Sequence, residues 1–453
     1  MSARTPDLID GHRHLLWYDV LIGDIPTSMR IQWMDPLSAP TYFMGLLVLS
    51  LSGCGATCRT EPSTKPASLS SDHLQYVAAA NGLPQTRMWK SHIAFADVNG
   101  DGFPDLGAVT RLADGPWIFT GDGNGNWTPA IDGLPRDTFC GGGMGFGDIN
   151  RDGKIDVAIA CHCTGVSVYW GDGHGHWVKG PGLPTAQSED IAVGDFDHDG
   201  CLDLALATSN DGMQALKGDC KGGFSDSSHG LPRAEWGNSV VMADMDGDGN
   251  LDIVAAYSAG PRVWLGDGKG NWRDASDGLP TPSAHGFYWG IAVGDVNGDG
   301  KLDLATGAVM PGAEVFVQEA GPNGPKWRRV NDGIITMNAV GVALGDLNND
   351  GHVDLVVAGK TDTEHLGGVY GVFAFLGDGA GHWTLVKDSG LPQTGRERTW
   401  GVGLTDIDGD GILDIGVAYG DVLSRASVPG SKAERGLFGA LEVWRGRGPV
   451  PQR

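Results

Sequence analysis

The chain has 453 residues, a formal net charge of −24, 74 Gly, 15 Trp and 7 Cys, and only 19% of its residues are charged. An acidic balance of that size excludes the basic footprint of a nucleic-acid-binding protein. Length alone would accommodate two or three domains, and so many glycines among so few charges point to many tight turns between buried strands.

Met44-Gly-Leu-Leu-Val-Leu-Ser-Leu51-Ser52-Gly53-Cys54 is an apolar run ending in small residues. It is too short to span a bilayer as a helix and reads as the core of a signal peptide; the alternative is an ordinary buried apolar segment. Leu51-Ser-Gly-Cys54 resembles a bacterial lipobox, which implies a lipidated Cys54 and an exported protein held on the outer membrane or cell surface of a bacterium. Residues 1–54 are thus expected to be an N-terminal extension with a lipoprotein-type signal, with Arg30 after Met29 supplying its positive end. Residues 55–72, rich in Ser, Thr and Pro, read as a flexible tether, and 449–453 as a C-terminal tail.

From Asp97 the sequence repeats. The pattern Asp-x-Asp/Asn-x-Asp-Gly-x-x-Asp occurs seven times without a gap, at intervals of 51, 47, 49, 51, 51 and 60 residues. Its oxygen-bearing residues are Asp97, Asn99, Asp101 and Asp105; Asp148, Asn150, Asp152 and Asp156; Asp195, Asp197, Asp199 and Asp203; Asp244, Asp246, Asp248 and Asp252; Asp295, Asn297, Asp299 and Asp303; Asp346, Asn348, Asp350 and Asp354; and Asp406, Asp408, Asp410 and Asp414. Hard oxygen donors on alternate residues of a tight loop suit Ca2+, which takes six to eight of them. Position twelve, where an EF-hand carries a bidentate Glu, holds only Ala108, Ile159, Leu206, Ala255, Thr306, Val357 and Val417, so strands rather than helices must flank the loop. An Asp-Gly turn that binds nothing is the plain alternative, and seven filled copies weigh against it. Seven divalent ions would bring 14 positive charges against the formal −24.

Each loop follows a short strand such as Ile191-Ala-Val-Gly194 and precedes an apolar run such as Leu204-Ala-Leu-Ala207. Runs without polar alternation fit strands covered on both faces. Two further marks recur: a Gly-rich hairpin ending in an aromatic residue, as in Gly121 to Trp127, and Gly-Leu-Pro, as at Gly133, Gly182, Gly230, Gly278 and Gly390, with Gly333-Ile-Ile a worn copy. The unit is therefore four strands, and a fold built of such units at this period is a propeller or solenoid. The seventh unit stops after its third strand, and Leu74 to Pro84 matches the missing fourth. The expected fold is all-β: a seven-bladed β-propeller over residues 73–448, four antiparallel strands per blade, its ring closed by residues 73–82 joining the last blade and removing the open edges.

These units resemble the FG-GAP and VCBS repeats, the family of the integrin α-chain propeller and of many bacterial surface proteins. The resemblance implies bound Ca2+ in up to seven sites. Two functional classes are compatible with it: a non-enzymatic cell-surface binding or adhesion module for a glycan or a protein, and a polysaccharide-acting lyase or hydrolase. No recurrent acid–base constellation stands outside the repeat carboxylates, which favours the binding module. The ligand is expected on the face opposite the calcium loops, where loops vary most, on Trp89, Trp236, His285, Tyr288, Trp289, Arg396, Arg398 and Trp400; the plain alternative is that these aromatics pack between blades. A monomer that meets membrane only through its lipid anchor is expected. In an exported chain Cys201 and Cys220, in loops sharing one face, form a reasonable disulfide, and Cys140 pairs with Cys161 or Cys163 on the opposite face.

Overall fold

The computed structural model describes residues 74–90, 92–183, 187–281, 287–322, 324–360, 370–394, 398–424 and 435–447. The signal segment with Cys54, the tether, His285, Arg396 and the tail lie outside the described residues.

The runs without polar alternation become the second strand of seven antiparallel sheets, and their first six residues are buried in every one. Written as strands a to d, blade 1 comprises Ala94–Ala96, Asp105–Asp114, Pro116–Gly121 and Trp127–Pro129; blade 2, Met144–Gly147, Asp156–Cys161, Gly165–Gly171 and Trp177–Gly182; blade 3, Ser188–Gly194, Asp203–Thr208, Met213–Gly218 and Phe224–Asp226. Blade 4 comprises Gly237–Ala243, Asp252–Tyr257, Gly260–Gly266 and Trp272–Asp274; blade 5, Tyr288–Gly294, Asp303–Ala308, Ala313–Gly321 and Gly324–Arg329; blade 6, Met337–Gly345, Asp354–Lys360, Gly371–Gly377 and Trp383–Leu385. Blade 7 takes Thr399–Thr405, Asp414–Tyr419 and Leu441–Arg447 from the end of the chain and Gln75–Ala78 from its start. The closing strand runs antiparallel to the third, from Gln75 opposite Arg447 to Ala78 opposite Trp444. It is four residues long, shorter than the expected 73–82.

Blade 1 departs from the four-strand plan. Met88–Trp89 and Thr138–Cys140 both pair with the far half of its long strand b, making a six-stranded sheet. In blade 7 the long b–c insertion forms its own hairpin, Asp421–Ser424 against Arg435–Phe438.

Seven apolar clusters fill the seven blade interfaces, one per junction. Each fully buried Val, Leu or Ile contributes about 1.5–3 kcal/mol relative to exposure. The Gly-Leu-Pro marks are the staples between blades. The Trp177 indole donates to the Ala130 carbonyl of the preceding blade at 2.9 Å. Its backbone nitrogen donates to Asp132 O at 2.8 Å. Gly133, at φ +85°, lies so close that a Cβ there would sit 1.8 Å from Trp177 O. The same arrangement recurs with Gly82 and Trp127, Gly230 and Trp272, Gly278 and Trp327, and the worn copy Gly333 with Trp383. At the closure Tyr76 takes the Trp position: its nitrogen donates to Ser389 O at 2.7 Å, and a Cβ on Gly390 would lie 2.3 Å from its carbonyl. The exception is Gly182, which faces open space. There strand d runs on through Gly182, and the next hairpin ends in Phe224, which has no indole to donate.

Candidate metal centres and the face opposite them

All seven Asp-rich loops share one hydrogen-bonding plan. The position-one carboxylate accepts the position-six glycine N–H at 2.8–3.1 Å, from Asp97 with Gly102 through Asp406 with Gly411. These glycines have φ between +82° and +95°, a region in which a side chain is strained. The position-five carboxylate accepts the position-seven N–H at 2.8–3.1 Å. Both groups are thereby fixed with oxygen atoms facing the loop centre.

The position-nine aspartates have a second task. Each is buried. One of its oxygens accepts the position-two N–H at 2.7–3.1 Å. The other accepts an N–H of strand c at 2.7–3.0 Å. One carboxylate so ties loop, strand b and strand c together. Burial pushes these groups up: Asp105, Asp156 and Asp203 to about 6, Asp252 and Asp414 to about 7 and Asp303 to about 8. A divalent cation beside them would oppose that rise. Position two is apolar in every copy (Val98, Ile149, Phe196, Met245, Val296, Leu347, Ile407) and buried, so it plugs each loop into the interface core. That regular apolar position is legible in the sequence of all seven copies.

The donor set fits a hard cation. In Asp195, Asp197 and Asp199, in Asp244, Asp246 and Asp248, and in Asp406, Asp408 and Asp414, one oxygen of each residue lies within 4.8 Å of the others. Asp195 Oδ1, Asp197 Oδ1 and Asp408 Oδ1 are buried and accept no hydrogen bond from the described residues. A carboxylate oxygen left so is costly unless a cation or donor meets it.

On the opposite face the expected aromatic rim is largely an inner wall. Trp89, Tyr288, Trp289 and Trp400 are 0–7% exposed. Trp289 and Trp400, from blades 5 and 7, meet edge to face at 5.7 Å. The Lys90 ammonium, from the segment entering blade 1, lies 5.4 Å and 5.7 Å from their ring centres and 2.6 Å from Glu189 of blade 3. Residues of blades 1, 3, 5 and 7, spread around the ring, meet at this one ammonium, which places it near the propeller axis. His92 pairs with Asp190 at 3.0 Å. Glu189 also accepts from His162, whose ring stacks on Trp236 at 5.4 Å. Ser209 Oγ lies 3.0 Å from that same His162 Nδ1. Ser209 Oγ also donates to Glu189 Oε1 at 3.3 Å, so the network ties blades 2 and 3 together. Burial would push Glu189 up, but Lys90 and His162 beside it hold it well below the usual carboxylate range. Glu189, Asp190 and Ser209 were not singled out from the sequence.

Arg398 lies further out. Its Nε donates to the Tyr370 hydroxyl at 3.2 Å, its guanidinium lies 5.3 Å from the Trp400 ring centre, and Lys360 stands 4.7 Å over the Tyr370 ring. The Cys pairs are Cys201–Cys220, Cα to Cα 4.9 Å, and Cys140–Cys163, 5.7 Å. Cys161 is a buried free thiol.

A closed seven-bladed propeller with a hard-donor loop in each blade defines the class. Residues 97–159, 148–206, 195–255, 244–306 and 346–417 match the FG-GAP-like repeat, and the chain belongs to that family. It is 29% identical over 207 residues to integrin alpha-PS2 of Drosophila melanogaster, 40% of this chain and 15% of that protein. It is 33% identical over 222 residues to human integrin alpha-IIb, 41% of this chain and 20% of that one. The chain thus spans a fifth or less of the length of these curated relatives. Among solved structures, BBS1N in its complex with ARL6DN superposes with a TM-score of 0.50 at 10% identity, covering 83% of this chain and 98% of that one. That likeness is one of fold.

Proposed function

We propose that the protein is an exported, calcium-stabilised propeller that binds a glycan or a protein at a cell surface through the face opposite its Asp-rich loops, without chemistry on its ligand. The observation that carries the ligand face is the pair Lys360 and Arg398. They converge on Tyr370 from two segments, and among the described residues neither meets a carboxylate. Two half-buried cations flanking an aromatic ring suit a ligand that presents an anionic group on an otherwise flat polar surface. Two disulfides support export, since such bonds persist in oxidising compartments. The Asp-rich loops support calcium through their donor chemistry. A lipid anchor on Cys54 belongs to this proposal as its means of attachment.

The test is a glycan array containing neutral and carboxylate-bearing glycans, run beside pull-down of surface proteins and a polysaccharide-cleavage assay. Binding of anionic ligands that falls at least tenfold in Arg398→Ala with Lys360→Ala supports the face. Cleavage of a polysaccharide overturns the non-enzymatic reading, and binding indifferent to both substitutions overturns the site.

A further inference from the structure

The seven loops differ at position three. It is Asp in blades 3, 4 and 7 (Asp197, Asp246, Asp408) and Asn in blades 1, 2, 5 and 6 (Asn99, Asn150, Asn297, Asn348). The outer strands differ at one matching place. In strand c, the residue just before the N–H that binds the position-nine Asp is Lys217 in blade 3 and Arg445 in blade 7. The Lys217 ammonium bonds Asp197 and lies 2.9 Å from Asp199. The Arg445 guanidinium lies 2.9 Å from Asp408. In blade 4 that place holds Leu265, whose cross-strand partner is Arg273. In the Asn blades the same pair of places holds Thr120 with Thr128, Trp170 with Val178 and Leu376 with Thr384. Blade 5 has Arg328 opposite Val317, but its guanidinium is turned away to Glu319 at 2.5 Å. Lys301 reaches Asp299 of that blade from inside the loop, at position five rather than three.

We infer that Lys217 and Arg445 are affinity-setting residues: each offsets the extra carboxylate at position three of its own blade, so that the four-carboxylate loops of blades 3 and 7 offer a divalent cation a net charge similar to that of the three-carboxylate loops. This rests on the calcium reading of the loops and goes beyond it. A fixed cation a few ångströms from the site opposes the incoming ion, while in the ion-free loop it relieves repulsion among the carboxylates. Without it, blades 3 and 7 would bind first and be strained when empty. With it, they fill in the same calcium range as the three-carboxylate blades.

The test uses the whole protein and Ca2+ itself, with Lys217→Thr, Asp197→Asn and the pair together. Two readouts are needed: melting temperature in chelator, and calcium affinity by competition with a chromophoric chelator. Lys217→Thr lowers the chelator melting temperature and tightens one site by about tenfold or more, the effect of removing one nearby charge. Asp197→Asn weakens that site. The double variant, which recreates the charge of blades 1, 2 and 6, returns both readouts towards the parent. Arg445→Leu with Asp408→Asn gives the same cycle in blade 7. Calcium bound by the protein but indifferent to Lys217→Thr, or a double variant no nearer the parent than the singles, overturns the inference alone. Absence of calcium binding at every loop overturns the calcium reading and this inference with it.

Discussion

The Lys90 ammonium lies 2.6 Å from the Glu189 carboxylate, joining blade 1 to blade 3 across the axis while blade 2 stands between them in sequence. Both side chains are almost wholly covered, at 11% and 2% exposed. Breaking a buried pair by removing one charge leaves the other uncompensated, at a typical cost of about 3–5 kcal/mol. Glu189→Gln is therefore expected to destabilise by that order in denaturant titration. Lys90→Met with Glu189→Leu is expected to cost less than Glu189→Gln alone. A Glu189→Gln protein as stable as the parent would show that the pair is not a tie.

The same cluster predicts a pH window. Glu189 is depressed below its ordinary value of 4.5. Its contribution is thus full above that value and is lost as pH falls towards the folded one. His92 moves the other way. Burial pushes it down, but Asp190 outweighs burial and raises it above 6.5. Its contribution is full below 6.5 and is lost as pH rises through the folded value. The stabilisation from the cluster is greatest between about pH 4.5 and 6.5. The difference in unfolding free energy between the parent and a Glu189→Gln, His92→Gln protein, measured from pH 3 to 9, should peak there.

Gly390 and Gly182 carry the same Gly-Leu-Pro mark and predict opposite outcomes. Gly390 has φ +84° and lies against the Tyr76 carbonyl. An alanine there meets a strained backbone region, about 1–2 kcal/mol, and a contact that forces blades 6 and 7 apart. Gly182 has neither feature, so Gly182→Ala should stay within about 0.5 kcal/mol of the parent. Melting curves of the two alanine proteins decide it: equal shifts would mean the staple has no energetic content.

That contrast also marks where the sequence is legible. Seven blades, the closing strand at Tyr76 and the Cys201–Cys220 bridge follow from marks at fixed offsets, because each has a local cause: a turn that needs Gly, a loop that needs Asp, an interface that needs an aromatic. Gly182 looks like the other staples because the triplet does not reveal what lies across the junction. The axial network was invisible for the reverse reason. Lys90 and His162 were visible singly, but with Glu189 and Ser209 they come from three blades, none recurs, and only the curvature of the ring brings them together. Trp289 and Trp400 were visible as aromatics, but their burial depends on the curvature of the ring, which no single strand encodes. The cations at 217 and 445 look like ordinary surface charges until strand register sets them beside position three.

The Cys201–Cys220 bridge closes a 19-residue separation and joins position seven of the third loop to the hairpin of its own blade. Loops near that size are stabilised by about 3 kcal/mol. Cys201→Ser with Cys220→Ser should therefore lower the melting temperature measurably, and Cys161, buried between strands, should resist thiol reagents until the protein unfolds. Mass spectrometry of labelled peptides from native protein checks the second point. Rapid native labelling of Cys161 would mean that strand b of blade 2 opens readily.

The proposed calcium sites give the loop carboxylates two tasks that a chelator should separate. A ligand that binds only the folded protein stabilises it by RT ln(1 + [L]/Kd), about 2.7 kcal/mol per site at a hundredfold excess. Chelator should therefore lower the melting temperature sharply. Millimolar Ca2+ should restore it, and Mg2+ less well because it demands a smaller octahedral shell. Position five and position nine should then diverge. Asp199 accepts one backbone N–H and the Lys217 ammonium at the edge of its loop and is an exposed donor for the ion, so Asp199→Ala should narrow the gap between calcium and chelator melting curves. Asp203 holds two backbone N–H groups, from Phe196 and Gly218, at 2.9 and 2.8 Å. An asparagine in its place offers one acceptor oxygen and leaves one of those buried donors unmatched, at about 1–3 kcal/mol. Asp203→Asn should consequently destabilise in chelator as well as in calcium. Should chelator leave the parent unmoved while Asp203→Asn still destabilises, the loops would be structural turns and the calcium reading would fall, with the position-nine tie intact.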